Sequence, residues 1–214
     1  MTPITFWFDP VSPYACLAFE RLPQALEGCS YAVDYRPVLF AGLLQHWGQL
    51  GPAEIAPKRD WTYRHVQWLA HRQGSALTLP AAHPFNPLPL LRLLIACSRD
   101  GQPNRLQCET VLQHVWHGGA AADDPQRLAA LGARLQPVRD PQSDAVKLQL
   151  RANTDAAIAR GVFGVPTLEV GQRLFWGADA LDMVAACLRG DPWFDTGWAR
   201  ADALPVGTAR RTPG

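Results

Sequence analysis

Strand-forming segments occur at the two ends of this chain and hardly at all between them, and that spacing restricts the folds open to it. At the start, "ITFWFD" (4–9) is a compact apolar run, and "YAVDYRPV" (31–38) alternates well enough for a second strand, with Pro37 near its end. Near the other end, "PTLEV" (166–170) and "RLFW" (173–176) flank "GQ", a tight-turn dipeptide whose permissive residue is Gly171. From about 39 to 150 the pattern is helical. "PLLRLLIACS" is densely apolar, Cys108, Val111, Leu112 and Val115 recur at helical spacing, and so do Leu128, Leu131 and Leu135. "SDAVKLQLRANTDAAIARG" reads as one helix capped by Ser143 and stopped at Gly161, and "GADALDMVAACLRG" as a closing helix.

The expected architecture is therefore α/β: a β-α-β unit, an inserted helical block, and an α-β-β-α return. Residues 1–38 and 151–190 are expected to form one discontinuous unit, 39–150 a helical insertion, and 191–214 a C-terminal tail. The tail has little periodicity, so it is expected to be irregular or docked by Trp193, Phe194 and Trp198. With 214 residues, 48% of them hydrophobic, the chain can bury a sizeable core.

A formal net charge of +1, with Lys and Arg spread along the chain, gives no electrostatic reason to expect nucleic acid or an anionic membrane. A small-molecule partner is the expectation. The N-terminus lacks the features of a secretory signal and no apolar stretch reaches about 18 residues, which points to the cytoplasm. The cysteines (16, 29, 97, 108, 187) are irregularly spaced without a C-x-x-C pair, so reduced, mostly buried thiols are expected rather than disulfides or a cysteine zinc site. His114 and His117 have an i, i+3 spacing that can serve a metal, but no carboxylate or cysteine partner is evident, and no metal is assigned. Tyr63, Arg64 and His65 read as helix-surface residues.

The chemistry-bearing stretch is "FDPVSPYACLAFE" (8–20). Ser12 and Pro13 read as the N-cap and first residue of a helix, and Val11 with Cys16 occupies the positions of a hydrophobic staple; Leu22 and Leu26 continue the apolar face. Ser12-Pro13-Tyr14-Ala15 fills the frame in which a redox motif would carry two cysteines, and Cys16 falls one step outside it. Disulfide exchange is disfavoured, because a serine forms no mixed disulfide.

Taken together, "DPVSPYACLAFE", "HPFNPLPLLR", "GVFGVPT" and "LFWGADALDMV" resemble the 2-hydroxychromene-2-carboxylate isomerase family, kin of the kappa-class glutathione transferases. The likeness runs over roughly residues 4 to 188. It implies a thioredoxin-like fold with a large all-helical insertion, of the bacterial disulfide oxidoreductase type, with Pro166 in the cis form and a homodimeric assembly. It also implies glutathione as cofactor. A thiol is a poor nucleophile while protonated; the N–H groups and positive dipole end of the first helix would favour the thiolate, and the Ser12 hydroxyl would donate to its sulfur. No base close in sequence makes Ser12 itself a covalent nucleophile.

By the same resemblance the Val165 backbone, before Pro166, pairs with the cysteinyl part of glutathione, and Trp176, Gly177 and Asp179 receive its γ-glutamyl end, Asp179 facing the ammonium. Lys58 reaches glutathione or substrate, and Asn86 lies on the substrate side. Lys58, Asn86 and Asp179 also have plain structural roles open to them: a solvated lysine, a turn residue before a helix, and a first-turn helix acid. Gln49, after Gly48, stands where relatives contact substrate through asparagine, and Ala178 and Ala180 replace residues that are usually polar and basic. The implied reaction interconverts 2-hydroxychromene-2-carboxylate and trans-o-hydroxybenzylidenepyruvate through reversible thiolate addition. Phe40, Trp47, Trp61 and Phe85 are candidates for an aromatic wall supplied by the insertion, and each could equally be a core residue. A kappa-like transferase or peroxidase with another substrate, and a non-catalytic binding protein on the same fold, are the alternatives.

Overall fold

The first strand forms where the apolar run predicts it, and its alternation decides which face each side chain takes. In the computed structural model, which describes residues 1–203, 205 and 207, β1 is Thr2–Phe8, α1 is Pro13–Ala25 and β2 is Tyr31–Pro37. β1 pairs in parallel with β2, with Phe6 opposite Tyr35, and α1 makes the crossover that parallel pairing requires. The two returning strands are β3 (Thr167–Val170) and β4 (Arg173–Trp176). β3 pairs antiparallel with both β1 and β4, so the sheet order is β2-β1-β3-β4 with β1 and β3 inside. Val170 faces Arg173 across the hairpin, and Gly171 takes the positive φ of 62° that a two-residue turn demands. Pro37, last in an edge strand, costs the ladder nothing.

Both faces of the sheet are covered. Ile4, Phe6 and Phe8 enter the main core with Cys16, Phe19, Leu22 and Leu26 of the first helix and its end. Trp7 points the other way, into a smaller cluster with Val38, Leu43, Ala157, Val162 and Val165. The helices of the middle segment are α2 (Phe40–Trp47), α3 (Ala56–Gln73), α4 (Leu88–Ala96), α5 (Arg105–Trp116) and α6 (Pro125–Leu135). They are followed by α7 (Asp144–Ala159), and after β4 by α8 (Leu181–Leu188) and α9 (Trp193–Asp202). Cys108, Val111, Leu112 and Val115 are all buried, as their spacing predicts. α4 is apolar nearly all round because it is packed on two sides: Leu90 and Leu94 enter the main core, while Leu91 and Ile95 meet Val146 and Leu150 of α7.

The inserted helices do not build a separate core. Val66, Leu90, Val111 and Trp116 join the same cluster as β1, α1 and α8. The fully buried Trp116 donates its indole N–H to the Pro10 carbonyl at 2.9 Å, tying α5 to the loop between β1 and α1. The expected unit boundary at 150/151 falls inside α7, which runs unbroken from its Ser143 cap. The tail is also more ordered than an irregular segment. Pro192 caps α9, Phe194 is buried, and Phe194 and Trp198 pack on Phe175 of β4, so two of the three expected aromatic docking residues are the anchors. Among the tail residues, 204, 206 and 208–214 lie outside those described. All five cysteines are free, three of them buried. Among the described residues no helix is long and apolar enough to cross a membrane.

Candidate active site

The loop that leaves β1 is fixed by a buried carboxylate. Asp9 is wholly inaccessible, and its two oxygens accept the backbone N–H groups of Val11 and Phe40, each at 2.9 Å. Desolvation by burial outweighs those two hydrogen bonds and raises its pKa to about 7. Asp9 thus holds the approach to α1 and the start of α2 in one place, three residues before Ser12. Asp9 is absent from the residues that the sequence marks for the site; the signal that could have found it is an acid set between the end of an apolar strand and Pro10.

Ser12 is the N-cap of α1, in extended conformation, and its Oγ accepts the Ala15 N–H at 3.3 Å. Pro13 follows at the first helical position, where its missing N–H leaves no orphan donor. The Tyr14 N–H has no hydrogen-bond partner among the described residues. Ser12 is 7% exposed, and its hydroxyl donates to the Val165 carbonyl at 3.2 Å, bridging 153 positions in sequence. The Val165–Pro166 bond is cis, as the resemblance implies. Val165 and Ser12 are therefore adjacent: the hydroxyl expected to face a thiolate and the carbonyl expected to take a cysteinyl N–H are hydrogen-bonded to each other. A carbonyl has a second lone pair and a hydroxyl can rotate, so both can re-partner without moving the backbone.

The strands beyond β3 complete the surroundings. The Gly177 N–H donates to the Pro166 carbonyl at 3.0 Å, and Gly177 has φ of 100°, a conformation that an L side chain rarely adopts. A Cβ on Gly177 would also meet the Asp179 carboxylate. Trp176 is 56% exposed, its indole lies over the Gly164 backbone, and it packs against Phe163 with ring centroids 5.0 Å apart. The 3-10 turn at Ala178–Ala180 packs on α1. Burial raises the pKa of the Tyr14 hydroxyl; a hydrogen bond from Thr62 opposes the shift and the Asp179 charge adds to it. Ala178 and Ala180 belong to the packing of this turn on the main core, not to an open surface.

α3 closes the other side. The Tyr14 hydroxyl and His65 Nδ1 share a hydrogen bond of 2.9 Å, and Trp61 stacks on His65 at 5.8 Å with the rings 12° from parallel. His83, whose pKa burial lowers, donates from Nε2 to the Val11 carbonyl at 2.8 Å, and the Tyr63 hydroxyl donates to the His83 carbonyl at 2.9 Å with His83 Nδ1 also 2.9 Å away. Tyr63 and His65 are thus not plain surface residues; each connects α3 to the Ser12 loop or helix, and only Arg64 is exposed as expected.

The structure brings Ser12, Val165, Pro166, Gly177, Asp179 and Trp176 into one region, and leaves other sequence-derived candidates outside its hydrogen-bonded network. Lys58 is exposed in the first turn of α3, with no hydrogen bond or ion pair among the described residues. Asn86 is exposed and its Oδ1 accepts the Leu88 N–H at 3.1 Å, the turn role open to it in the sequence. Gln49 is exposed at the end of α2, its N–H returned to the Leu44 carbonyl. Of the candidate aromatic wall, Phe85 takes the core role equally open to it, against His83. Phe40 is half-buried in the cluster that includes Val165, Trp47 donates to the Val162 carbonyl at 3.0 Å, and Trp61 is exposed. Clefts of about 440 and 360 Å³ lie elsewhere; neither includes Ser12 or the Val165–Pro166 segment.

The histidine expectation changes, while that of a reduced, buried Cys16 holds. His114 and His117 serve different partners, for His114 Nε2 pairs with the Ala122 carbonyl at 2.8 Å, whereas His117 Nε2 meets Glu20 Oε1 at 3.0 Å. Cys16 lies beside that same carboxylate, Sγ to Oε1 3.7 Å, and burial together with the Glu20 charge pushes its pKa well above the ordinary thiol value. Cys16 is held as a thiol and is no nucleophile at neutral pH.

Comparison with known proteins places this geometry. The sequence pattern described as "DSBA-like thioredoxin domain" matches residues 3–189. The chain is similar to the 2-hydroxychromene-2-carboxylate isomerase of Pseudomonas sp. (strain C18), 28% identical over 196 residues, covering 88% of this chain and 91% of that one. It is also similar to glutathione S-transferase kappa 2 of Caenorhabditis elegans, 27% identical over 202 residues, covering 85% of this chain and 89% of that one. A solved 2-hydroxychromene-2-carboxylate isomerase structure superposes with a TM-score of 0.72 at 25% identity, over 95% of this chain and 100% of the other. From β1 to α8 the matched segment takes in the sheet, the Ser12 cap, the inserted helices and the Val165–Pro166 loop, and the chain belongs to the DSBA-like thioredoxin domain family.

Proposed function

We propose that this protein is a glutathione-dependent isomerase acting on an aromatic electrophile, of the kind that interconverts 2-hydroxychromene-2-carboxylate and trans-o-hydroxybenzylidenepyruvate. The observation that carries the reading is the Ser12–Val165 pair: a serine hydroxyl at a helix N-terminus, facing the backbone before a cis-proline, with no thiol in the frame. Bound glutathione supplies a sulfur nucleophile for reversible addition to an unsaturated carbon, so that the former double bond rotates before the thiol leaves. The names of the relatives agree with that chemistry.

The residues of the chain fit a thiolate and its peptide. Ser12 exchanges its Val165 bond for one to sulfur, a charge-assisted bond about twice as strong as the neutral one it replaces. The Tyr14 N–H and the dipole of α1 add to the stabilisation. The Val165 backbone is released to pair with the cysteinyl amide as a short added strand. Asp179 would face the γ-glutamyl ammonium beside Trp176 and Gly177, and the exposed Asn86, Lys58 and Gln49 would meet the substrate only once it is bound. His65 and Tyr14, backed by Trp61, give one aromatic edge; Trp47, Phe163 and Trp176 give the other. The chain works in this reading as a cytoplasmic homodimer with no metal in the catalytic step.

The test is isomerisation of 2-hydroxychromene-2-carboxylate by purified enzyme with and without millimolar glutathione. Turnover that requires glutathione is the expected result. Binding of glutathione without turnover, accompanied by conjugation of an electrophilic aromatic halide, would favour the kappa-like transferase, which the relatives of that name support. Failure to bind glutathione would leave a binding protein on this fold.

A further inference from the structure

Among the described residues, one place outside the Ser12 region brings three metal-ligating side chains together. Cys16, Glu20 and His117 present Sγ, a carboxylate oxygen and an imidazole nitrogen, all within 4.8 Å of one another. Cys16 and Glu20 are one turn apart on α1, and His117 caps the C-terminus of α5, so the cluster joins two helices whose His117 and Glu20 lie 97 positions apart in sequence. Glu20 is divided between two duties. Its Oε2 accepts the Ser75 hydroxyl at 2.5 Å, while its Oε1 alone faces both His117 Nε2 at 3.0 Å and Cys16 Sγ at 3.7 Å.

We propose that Cys16, Glu20 and His117 form a zinc site that clamps the first two turns of α1 to the end of α5. The donor set is one sulfur, one nitrogen and one oxygen, which suits borderline-soft zinc and does not suit magnesium or calcium. Zinc bonds of about 2.0 Å to N and O and 2.3 Å to S place ligand atoms roughly 3.3–3.7 Å apart, so shifts of about 1 Å or less convert the present cluster into three corners of a tetrahedron. As the Zn–S bond forms, the Cys16 proton leaves to solvent. The hydrogen bond from His117 Nε2–H to Glu20 is replaced by two bonds to the cation, the imidazole passing to its Nδ1–H tautomer so that the Nε2 lone pair is free to bind. Ser75 is the outer partner that fixes the carboxylate, as metal-ligating carboxylates commonly require. A cleft of about 360 Å³, lined by Glu20, Gln24, Ser75, Arg105 and Glu109 among others, reaches the Glu20 carboxylate from solvent.

Cobalt(II) is the spectroscopic probe. Added to the reduced, full-length protein, it is expected to give a thiolate-to-cobalt charge-transfer band that zinc abolishes by displacement. Zinc at about a hundredfold excess over its Kd is expected to raise Tm by about 5–10 °C, reversed by a chelator. Ser75→Ala, which removes no ligand, is expected to weaken zinc binding by about tenfold. Cys16→Ser should remove the band. Because a buried serine could impair folding, half-buried His117→Ala is the companion variant, expected to weaken cobalt binding more than Ser75→Ala does. Absence of a charge-transfer band in the wild type overturns the proposal. So does a band undiminished in His117→Ala and Cys16→Ser, which would put the metal on Cys29 or Cys187.

Discussion

At the scale of single residues, the site rests on two polar groups that burial forces into definite partnerships. Ser12 is almost inaccessible, and its hydroxyl must find acceptors and donors inside the protein; it finds Val165 and Ala15. Asp9 is buried more completely, and its carboxyl binds protons more readily in the folded than in the unfolded chain, where an aspartate titrates near about 3.9. The folded pKa of about 7 is the higher one, so the stability linked to this group is fully present below the unfolded value and is lost as pH rises through about 7. Asp9→Asn removes the titration and orphans one of the two N–H donors, at a cost of about 1–3 kcal/mol. Urea midpoints at about pH 5 and about pH 8 should therefore show a larger deficit of the variant, relative to wild type, at the lower pH. Equal deficits at both pH values would mean that Asp9 does not titrate differently in the two states. Ser12 was legible because its N-cap role is local, set by Pro13 and the apolar positions that follow. The partners of Asp9, at Val11 and Phe40, depend on where α2 begins in space, which no local pattern records.

At the scale of elements, local rules predicted β1, α1, both strands of the returning hairpin and the helix over 144–159. Each carries its own stop and start: Ser12 and Pro13, the Gly171 turn, the Ser143 cap. α9 was not legible, because its aromatic residues are placed by Phe175 on β4 and not by a repeating apolar spacing. The same reason hid the role of α3, whose Tyr63 and His65 have meaning only beside His83 and Tyr14. His117 and Glu20 were invisible as a pair for want of any signal linking α5 to α1. α7 shows how a cap acts at a distance. Ser143 Oγ accepts the Val146 N–H, and farther along the helix Asn153 donates to the Pro37 carbonyl while Thr154 accepts the Leu39 N–H at the β2–α2 junction. Ser143→Ala is expected to lower stability by about 1 kcal/mol with an unchanged dependence on urea concentration, measured by circular dichroism. A change in that dependence instead would mean that α7 melts separately from the rest.

At the scale of the molecule, the inserted helices and the sheet share one core, and the Ser12 loop is supported from both. Trp116 is the clearest link, fully buried in α5 and hydrogen-bonded to Pro10 two residues before Ser12. Trp116→Phe leaves the Pro10 carbonyl without its donor and a void beside it; a loss of about 2–3 kcal/mol is expected. If the insertion holds the loop, glutathione affinity falls as well, by calorimetry. Unchanged affinity in a destabilised variant would confine the role of α5 to the core. The central claim is that Ser12 and the α1 N-terminus stabilise a glutathione thiolate, and titration of the protein with glutathione at neutral pH, followed by thiolate absorbance in the ultraviolet, tests it most directly. The account predicts a saturable thiolate signal in the wild type that disappears in Ser12→Ala while the protein stays folded; a signal of equal size in Ser12→Ala, or saturable binding without thiolate in the wild type, would contradict it.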